Sequence, residues 1–231
     1  MTQAAAFFDV DGTICVTRST DSLMWHRARQ YPAWRHRLWL ASLAWRVPML
    51  LLADRMSRSL TDKLVYAQFE GLSEVRLQAD ANLCCETLLQ PSCFVDALAE
   101  MALHRAAGRR IVLVSGGTDQ VLAPLAARLG ADLLAQRLEV QDGRFNGAYR
   151  SYEGLTKDEA SASQGARKAA ALRRYIAGHG VVAAQSYAYG DSVNDIAMLA
   201  EVGNAVAVNP DRRLRREAAR RGWPVRTWSS S

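Results

Sequence analysis

Ala4-Ala5-Ala6-Phe7-Phe8-Asp9-Val10-Asp11-Gly12-Thr13 is an apolar run that stops abruptly at two acids and a glycine. A short apolar stretch bounded by such a turn signal predicts a buried strand, here over residues 4–10. Similar runs recur at 111–114, 186–189 and 205–208, with a weaker one at 132–135. Between them lie helical patterns: Val121, Leu125 and Leu129 fall four apart, as do Leu172 and Ile176. Strands alternating with helices predict a mostly parallel sheet covered on both faces.

Two segments break the alternation. Residues 17–89 hold no convincing strand but many apolar residues at helical spacing, among them Trp34, Leu38, Trp45, Leu60, Leu64 and Tyr66. They read as an all-helical insertion after the first strand, with Trp25, Trp34, Trp39 and Trp45 packing its helices. Within 137–149, Asp142-Gly143 sits between alternating residues, a hairpin signal. The expected α/β fold is a three-layer Rossmann-like parallel sheet core with an inserted all-helical cap and a small β-hairpin. The core takes residues 1–16 and 90–231, and the cap 17–89.

In open α/β sheets, ligands bind beyond the carboxyl ends of the strands. Asp9 and Asp11 follow the first strand, Ser115-Gly116-Gly117 the second, and Asp191 with Asp195 the strand ending at Gly190. Lys168, in the first turn of the helix that leads into that last strand, starts on the same edge; Lys157 competes for its role. Paired carboxylates after an apolar strand repel unless a cation sits between them. Oxygen donors suit Mg²⁺, which uses one or two carboxylates plus a substrate phosphate. No histidine pair stands at metal-ligand spacing, which argues against zinc. The Ser115 hydroxyl, the N–H groups of Gly116 and Gly117 and a helix N-terminus near Thr118 make an anion cradle, and Lys168 adds a point charge. The constellation is that of phosphoryl transfer.

Composition narrows the alternatives. The 231 residues are 49% hydrophobic and 23% charged, as in globular chains rather than disordered ones. Net charge is +6, yet only Lys63, Lys157 and Lys168 of the 29 basic residues are lysine, a bias of GC-rich coding more than of a binding surface. Arginines crowd 212–221, read as the solvated face of a helix with Leu214 and Ala218 inward, so no nucleic-acid partner is expected. Cys15, Cys84, Cys85 and Cys93 form no C-x-x-C pair, and the start lacks a signal-like apolar core, which points to the cytoplasm. The apolar stretch 38–52, broken by Arg46 and Pro48, is too short to span a bilayer.

Asp9-Val-Asp11-Gly-Thr13, then Ser115, then Lys168, then Gly190-Asp191-Ser-Val-Asn-Asp195 resemble the four ordered motifs of the haloacid dehalogenase superfamily. The helical insertion is similar to that of its phosphoserine-phosphatase-like branch with a helical cap. The ending, Ala205-Val-Ala-Val-Asn-Pro-Asp211 and then Arg221-Gly-Trp-Pro-Val225, resembles a bacterial subgroup whose substrates are mostly unassigned. The resemblance implies that Asp9 is the nucleophile that becomes an aspartyl-phosphate, and that Asp11 is the general acid and base. It implies that Mg²⁺ is held by Asp9, the Asp11 carbonyl and Asp191. Asp195 would stand with that metal group, orienting a bound water or Lys168, while Ser115 and Lys168 hold phosphoryl oxygens. A halide leaves without a proton but an alkoxide needs one, so Asp11 favours phosphate esters over carbon–halogen bonds. Phosphoserine phosphatases usually place Glu soon after the first motif. Here Arg18 precedes the first acid, Asp21, which argues against phosphoserine and makes Arg18 a candidate contact for an anionic leaving group. The expected activity is Mg²⁺-dependent hydrolysis of a small phosphorylated metabolite. A phosphotransferase or mutase on the same site, or an arginine-rich nucleic-acid or lipid binder, are the alternatives.

Overall fold

A strand buried on both faces sends alternate side chains to opposite cores, and the first strand does this. The computed structural model describes residues 3–42 and 64–229, and in it β1 (Ala5–Phe8) lies at the centre of a seven-stranded sheet. Ala6 and Phe8 enter one apolar cluster with Ile111, Leu113, Leu125 and Met101. Ala5 and Phe7 enter the other, with Val112, Val114, Leu172 and Leu214. The sheet is thus the middle of three layers, and each side chain of β1 is fully buried.

The remaining strands are β2 (Arg110–Thr118), β3 (Asp132–Gln141), β4 (Arg144–Arg150), β5 (Tyr187–Gly190), β6 (Asn204–Val208) and β7 (Val225–Arg226), in the order β4-β3-β2-β1-β5-β6-β7. All neighbours pair parallel except β3 and β4. The helices are α1 (Ser19–Gln30), α2 (Glu74–Cys84), α3 (Val95–Ala106), α4 (Asp119–Arg128), α5 (Lys157–Ser161), α6 (Gln164–His179), α7 (Ile196–Leu199) and α8 (Arg212–Arg221). Leu77 of α2, Met101 of α3 and Leu125 of α4 belong to the Phe8 side, and Leu172 of α6, Leu199 of α7 and Leu214 of α8 to the Phe7 side. The chain winds away from β1 in one direction through β2 and β3, and in the other through β5 and β6. The crevice between β1 and β5 is therefore the switch point where such sheets bind ligands.

Three details depart from the expectations. Ser115-Gly116-Gly117 stays in strand β2, with a register shift against β3 between Val114 and Thr118. The expected strand at 132–135 and the first arm of the hairpin are one strand, because no turn residue separates them; its first half pairs with β2 and its second with β4. The two-residue edge strand β7 was too short to show a pattern.

Between β1 and β2 the described residues are helical, at α1, at 33–42, and again from 64 into α2 and α3, with no strand. Trp39 packs as expected, buried, its Nε1 donating to Gln68 Oε1 at 3.2 Å. Trp34 is 62% exposed, which corrects the expectation that it packs between helices. Trp45 and Leu60, and most of the apolar stretch 38–52, lie outside the described residues, as does Lys63. Among the described residues no helix is long and apolar enough to cross a membrane. Helix α8 turns Leu214 and Ala218 inward, as expected.

His104 on α3 is buried and neutral. Tyr189 donates its hydroxyl proton to Glu100 Oε1 at 2.7 Å and so receives the His104 Nε2–H at 2.8 Å, while Arg109 donates to Nδ1 at 3.1 Å. Burial, and then the Arg109 charge, push this imidazole down to about 4. A histidine that stays neutral in the fold but charges when unfolded supplies stability above its ordinary value, which is lost as the pH falls. Between pH 6.5 and 4, His104 should remove about 3 kcal/mol at most. Urea melts of His104→Gln should show a shallower loss over that interval than the parent.

Candidate active site

Asp9 stands one residue past β1, and its N–H donates to the Tyr189 carbonyl of β5 at 3.0 Å, which fixes it at the switch point. Beyond it the chain turns sharply: the N–H groups of Ile14 and Cys15 both donate to the Val10 carbonyl, at 2.9 and 3.0 Å. Gly12 makes this turn with φ +83°, and a Cβ there would lie 2.3 Å from Asp191 Oδ2. Only glycine fits so close to that carboxylate.

Lys168 reaches this point from α6. Ser163 caps the helix, accepting from the Ala166 N–H, so the helix starts at Gln164 and Lys168 lies one turn further in than the sequence reading placed it. Its Nζ donates to Asp9 Oδ1 at 2.5 Å and to Asp195 Oδ1 at 2.7 Å, all three residues being buried. The other Asp195 oxygen accepts from the Ser192 N–H and hydroxyl, at 3.0 and 2.9 Å, and from the Asp191 N–H at 3.2 Å. Asp195 is thus saturated and holds Lys168 and the β5 loop in place. Lys157 begins α5, exposed and away from the cavity lining.

The electrostatics are unbalanced. Ligand oxygens of Asp9, Asp191 and Asp195 lie within 4.8 Å of one another, and among the described residues the one ammonium at this point, Lys168, leaves two formal negative charges over. Burial, reinforced by Asp195, raises the Asp9 carboxyl well above the ordinary range despite Lys168. Burial and Asp195 likewise push Asp191 up to about 7. Burial opposes the Lys168 charge, but Asp195 and Asp9 outweigh it and raise the ammonium further. A buried, all-oxygen cluster with two surplus charges fits a divalent hard cation such as Mg²⁺. With Asp195 saturated, the carboxylates with donors to spare are Asp9 and Asp191.

Asp9, Asp11, Ser115, Gly116, Gly117, Lys168, Asp191 and Arg18 all line one cavity of about 770 Å³. Asp195 sits behind that wall. The Gly117 N–H donates to Ser115 Oγ at 2.9 Å, so it is used within this end of β2, which corrects the expectation that it faces an anion. The helix behind it starts at Asp119 with Thr118 as its N-cap, where the sequence reading placed a helix N-terminus.

Several residues around the site carried no sequence signal. Tyr152 donates its hydroxyl to the Ser115 carbonyl at 3.0 Å, Gln136 donates to the Gly116 carbonyl at 3.1 Å, and Tyr66 donates to the same oxygen. These three hold this end of β2, and their distances along the chain, between 20 and 50 residues, leave no local pattern. Asp211 caps α8: it accepts from the Leu214 N–H at 2.7 Å and the Val193 N–H at 3.0 Å. Its own N–H donates to the Asp191 carbonyl at 2.8 Å.

Residues 6–200 match the haloacid dehalogenase-like hydrolase family. A Mycobacterium tuberculosis protein named as a probable phosphatase is 33% identical over 237 residues, spanning 98% of this chain and 76% of its own length. A crystal structure of a protein of unknown function from Bordetella pertussis Tohama I aligns with a TM-score of 0.76 at 28% identity, over 97% of this chain and 98% of that one. A phospho-aspartyl intermediate analogue of phosphoserine phosphatase shares the fold with a TM-score of 0.67 at 17% identity, over 98% and 94% of the two chains. The switch-point crevice, its acidic cluster and the match along most of the sequence place the chain in the haloacid dehalogenase-like hydrolases, in the phosphoserine-phosphatase-like branch, as a phosphoric monoester hydrolase.

Proposed function

We propose that the chain hydrolyses a small organic phosphate through an aspartyl-phosphate on Asp9, with Mg²⁺ as cofactor. One observation carries this reading: a buried carboxylate at the end of the central strand, fixed by Lys168, shares a cavity with Asp11, Ser115 and Asp191. Asp9 attacks phosphorus in line, and the ester P–O bond breaks with its electron pair leaving on the alkoxide oxygen. Asp11 gives that oxygen a proton, and its carboxylate then takes one from the water that attacks the phosphoryl group and frees Asp9. The Ser115 hydroxyl, the Gly116 N–H and the Lys168 ammonium hold the phosphoryl oxygens. Asp9, Asp191 and the Asp11 carbonyl would hold Mg²⁺, which supplies charge neutralisation to the transferring group. Asp195 positions Lys168.

In this reading residues 17–89 act as a cap that covers the crevice, excludes water and selects the leaving group. Arg18, exposed, lines the same cavity. Phosphate release from an aryl phosphate should require Mg²⁺ and stop in EDTA. Release that continues unchanged without divalent cation overturns the cofactor assignment, and recovery of a new phosphate ester when an acceptor alcohol is added would replace hydrolysis by transfer.

Gly12 supplies a further test. In Gly12→Ala the added methyl displaces the Asp191 carboxylate and strains a positive φ, which costs about 1–3 kcal/mol. A disturbed ligand typically weakens metal binding by about 10–100-fold. The Mg²⁺ concentration for half-maximal phosphate release should rise by about that factor while saturating Mg²⁺ restores much of the rate.

A further inference from the structure

The cavity lining combines two unlike sets of residues. Its carboxylates Asp9, Asp11, Asp191 and Asp211 follow β1, β5 and β6, and Asp211 is spent on the N–H groups of Val193 and Leu214. The same cavity is lined by Phe69, Leu89, Phe94, Val121 and Leu122, all buried and all part of one apolar cluster on the Phe8 side of the sheet. No carboxylate among the described residues stands on this wall to hold an ammonium group. At about 770 Å³ the space suits a drug-sized ligand, far more than a serine side chain fills.

Resting on the phosphatase reading above, we infer that the substrate is a phosphate monoester of a largely hydrocarbon alcohol, its chain lying along the Phe69–Leu89–Phe94–Val121–Leu122 wall. Hydrocarbon buried in the transition state raises kcat/KM by roughly fourfold per methylene, until the wall is covered. The test is kcat/KM for n-butyl, n-hexyl and n-octyl phosphate below micelle-forming concentrations, beside O-phosphoserine and glycerol phosphate. A stepwise rise along the alkyl series, with both polar esters well below octyl phosphate, supports the inference. A flat series or a preference for phosphoserine overturns it and leaves the phosphatase reading standing; release from none of the esters overturns that reading instead. Val121→Thr, which adds a hydroxyl to this wall, should lower octyl phosphate turnover severalfold more than glycerol phosphate turnover. Equal loss on both substrates would assign Val121 to the fold alone.

A separate pair of thiols marks a modification site. Cys15 Sγ and Cys93 Sγ lie 3.2 Å apart, both buried, on facing backbone segments. The Val16 N–H donates to the Ser92 carbonyl and the Phe94 N–H to the Ile14 carbonyl, each at 2.9 Å, so the two cysteines form a non-hydrogen-bonded antiparallel pair. Such pairs hold their Cα atoms about 4.5 Å apart, within the span of a disulfide. Cys15 is where the chain leaves the Asp9 loop for α1, and Cys93 is where it returns to α3. We propose that a peroxide oxidises this pair to a disulfide that staples both crossings and slows turnover. One thiolate attacks the peroxide, giving a sulfenic acid and water; the second thiol displaces water from that sulfur, so two thiols and one H₂O₂ yield one disulfide and two waters. The Cys15 hydrogen bond lowers the Cys93 thiol, which favours Cys93 as the attacking group.

Peroxide-treated protein should lose about 2 Da, give a linked Cys15–Cys93 peptide, and lose kcat severalfold with recovery in dithiothreitol. Cys93→Ser, and independently Cys15→Ser, should keep activity through the same treatment. A link through Cys84 or Cys85, oxygen addition without a link, or equal inactivation of Cys93→Ser overturns the proposal.

Discussion

Asp9→Asn is expected to lower kcat for every phosphate ester by about a thousandfold or more, the scale seen when a covalent nucleophile is removed. The amide cannot expel a proton and attack phosphorus, yet it keeps the shape of the carboxyl group. Stability should hold or rise, because burial and Asp195 already disfavour the Asp9 charge and the amide removes one of the two surplus negative charges. Lys168 keeps its partner Asp195. Stopped-flow turnover of an aryl phosphate, with acid-quenched protein checked by mass spectrometry, reads both halves of the claim. The parent should carry a phosphoryl adduct on the peptide that holds Asp9, and the variant none. A variant that folds, melts like the parent and still turns over within tenfold of it would remove Asp9 from the nucleophile's place.

How much of this could be read from the chain follows from which forces are local. β1 was legible because a strand buried on both faces must be apolar throughout, and residues 5–8 are. Asp9, Asp11 and Asp191 were legible because acids directly after such strands are costly without a function. Lys168 was placed on the right edge but a turn out along its helix, since Ser163 caps α6 one position before Gln164. The hairpin was seen and its first arm misjudged: Asp142-Gly143 announces the turn, but nothing local says that β3 changes partners midway. Tyr66, Gln136 and Tyr152 were beyond reach, because their hydroxyl and amide donors meet backbone carbonyls that only the folded sheet brings near. The apolar wall was hidden for the same reason. Val121 shows in sequence only a helical period, and Phe69 and Leu89 show nothing of a site; all three are core, and only the fold shows that one edge of that core borders the crevice.

Lys168→Met is expected to be damaging to both stability and rate, with a pH signature that separates the two roles. Removing one partner of a buried ionic cluster leaves the others uncompensated, at a cost of about 3–5 kcal/mol. Here the orphans are carboxylates, and Lys168 is what lowers Asp9 and Asp191 against their burial. Without it both rise further, and Asp191 already sits near 7 with the lysine in place. A carboxyl raised in the fold binds protons that the unfolded chain has released, so its penalty grows with pH until it ionises. At pH 5 the acids of the variant are neutral and the deficit is small; at pH 8 they must ionise inside the fold and the deficit is near its full size. The lysine's own contribution is constant over this interval, because its pKa is raised in the fold and it stays charged in both states. Urea melts at pH 5 and pH 8 should therefore show the gap between parent and variant widening with pH, and Mg²⁺ should close part of it at pH 8 by supplying the missing positive charge. The rate should stay depressed by about two to three orders of magnitude even where stability is recovered, since an ion bound between Asp9 and Asp191 cannot stand where the ammonium meets the phosphoryl oxygens. A gap that is equal at both pH values would mean that Lys168 fills space rather than balancing charge.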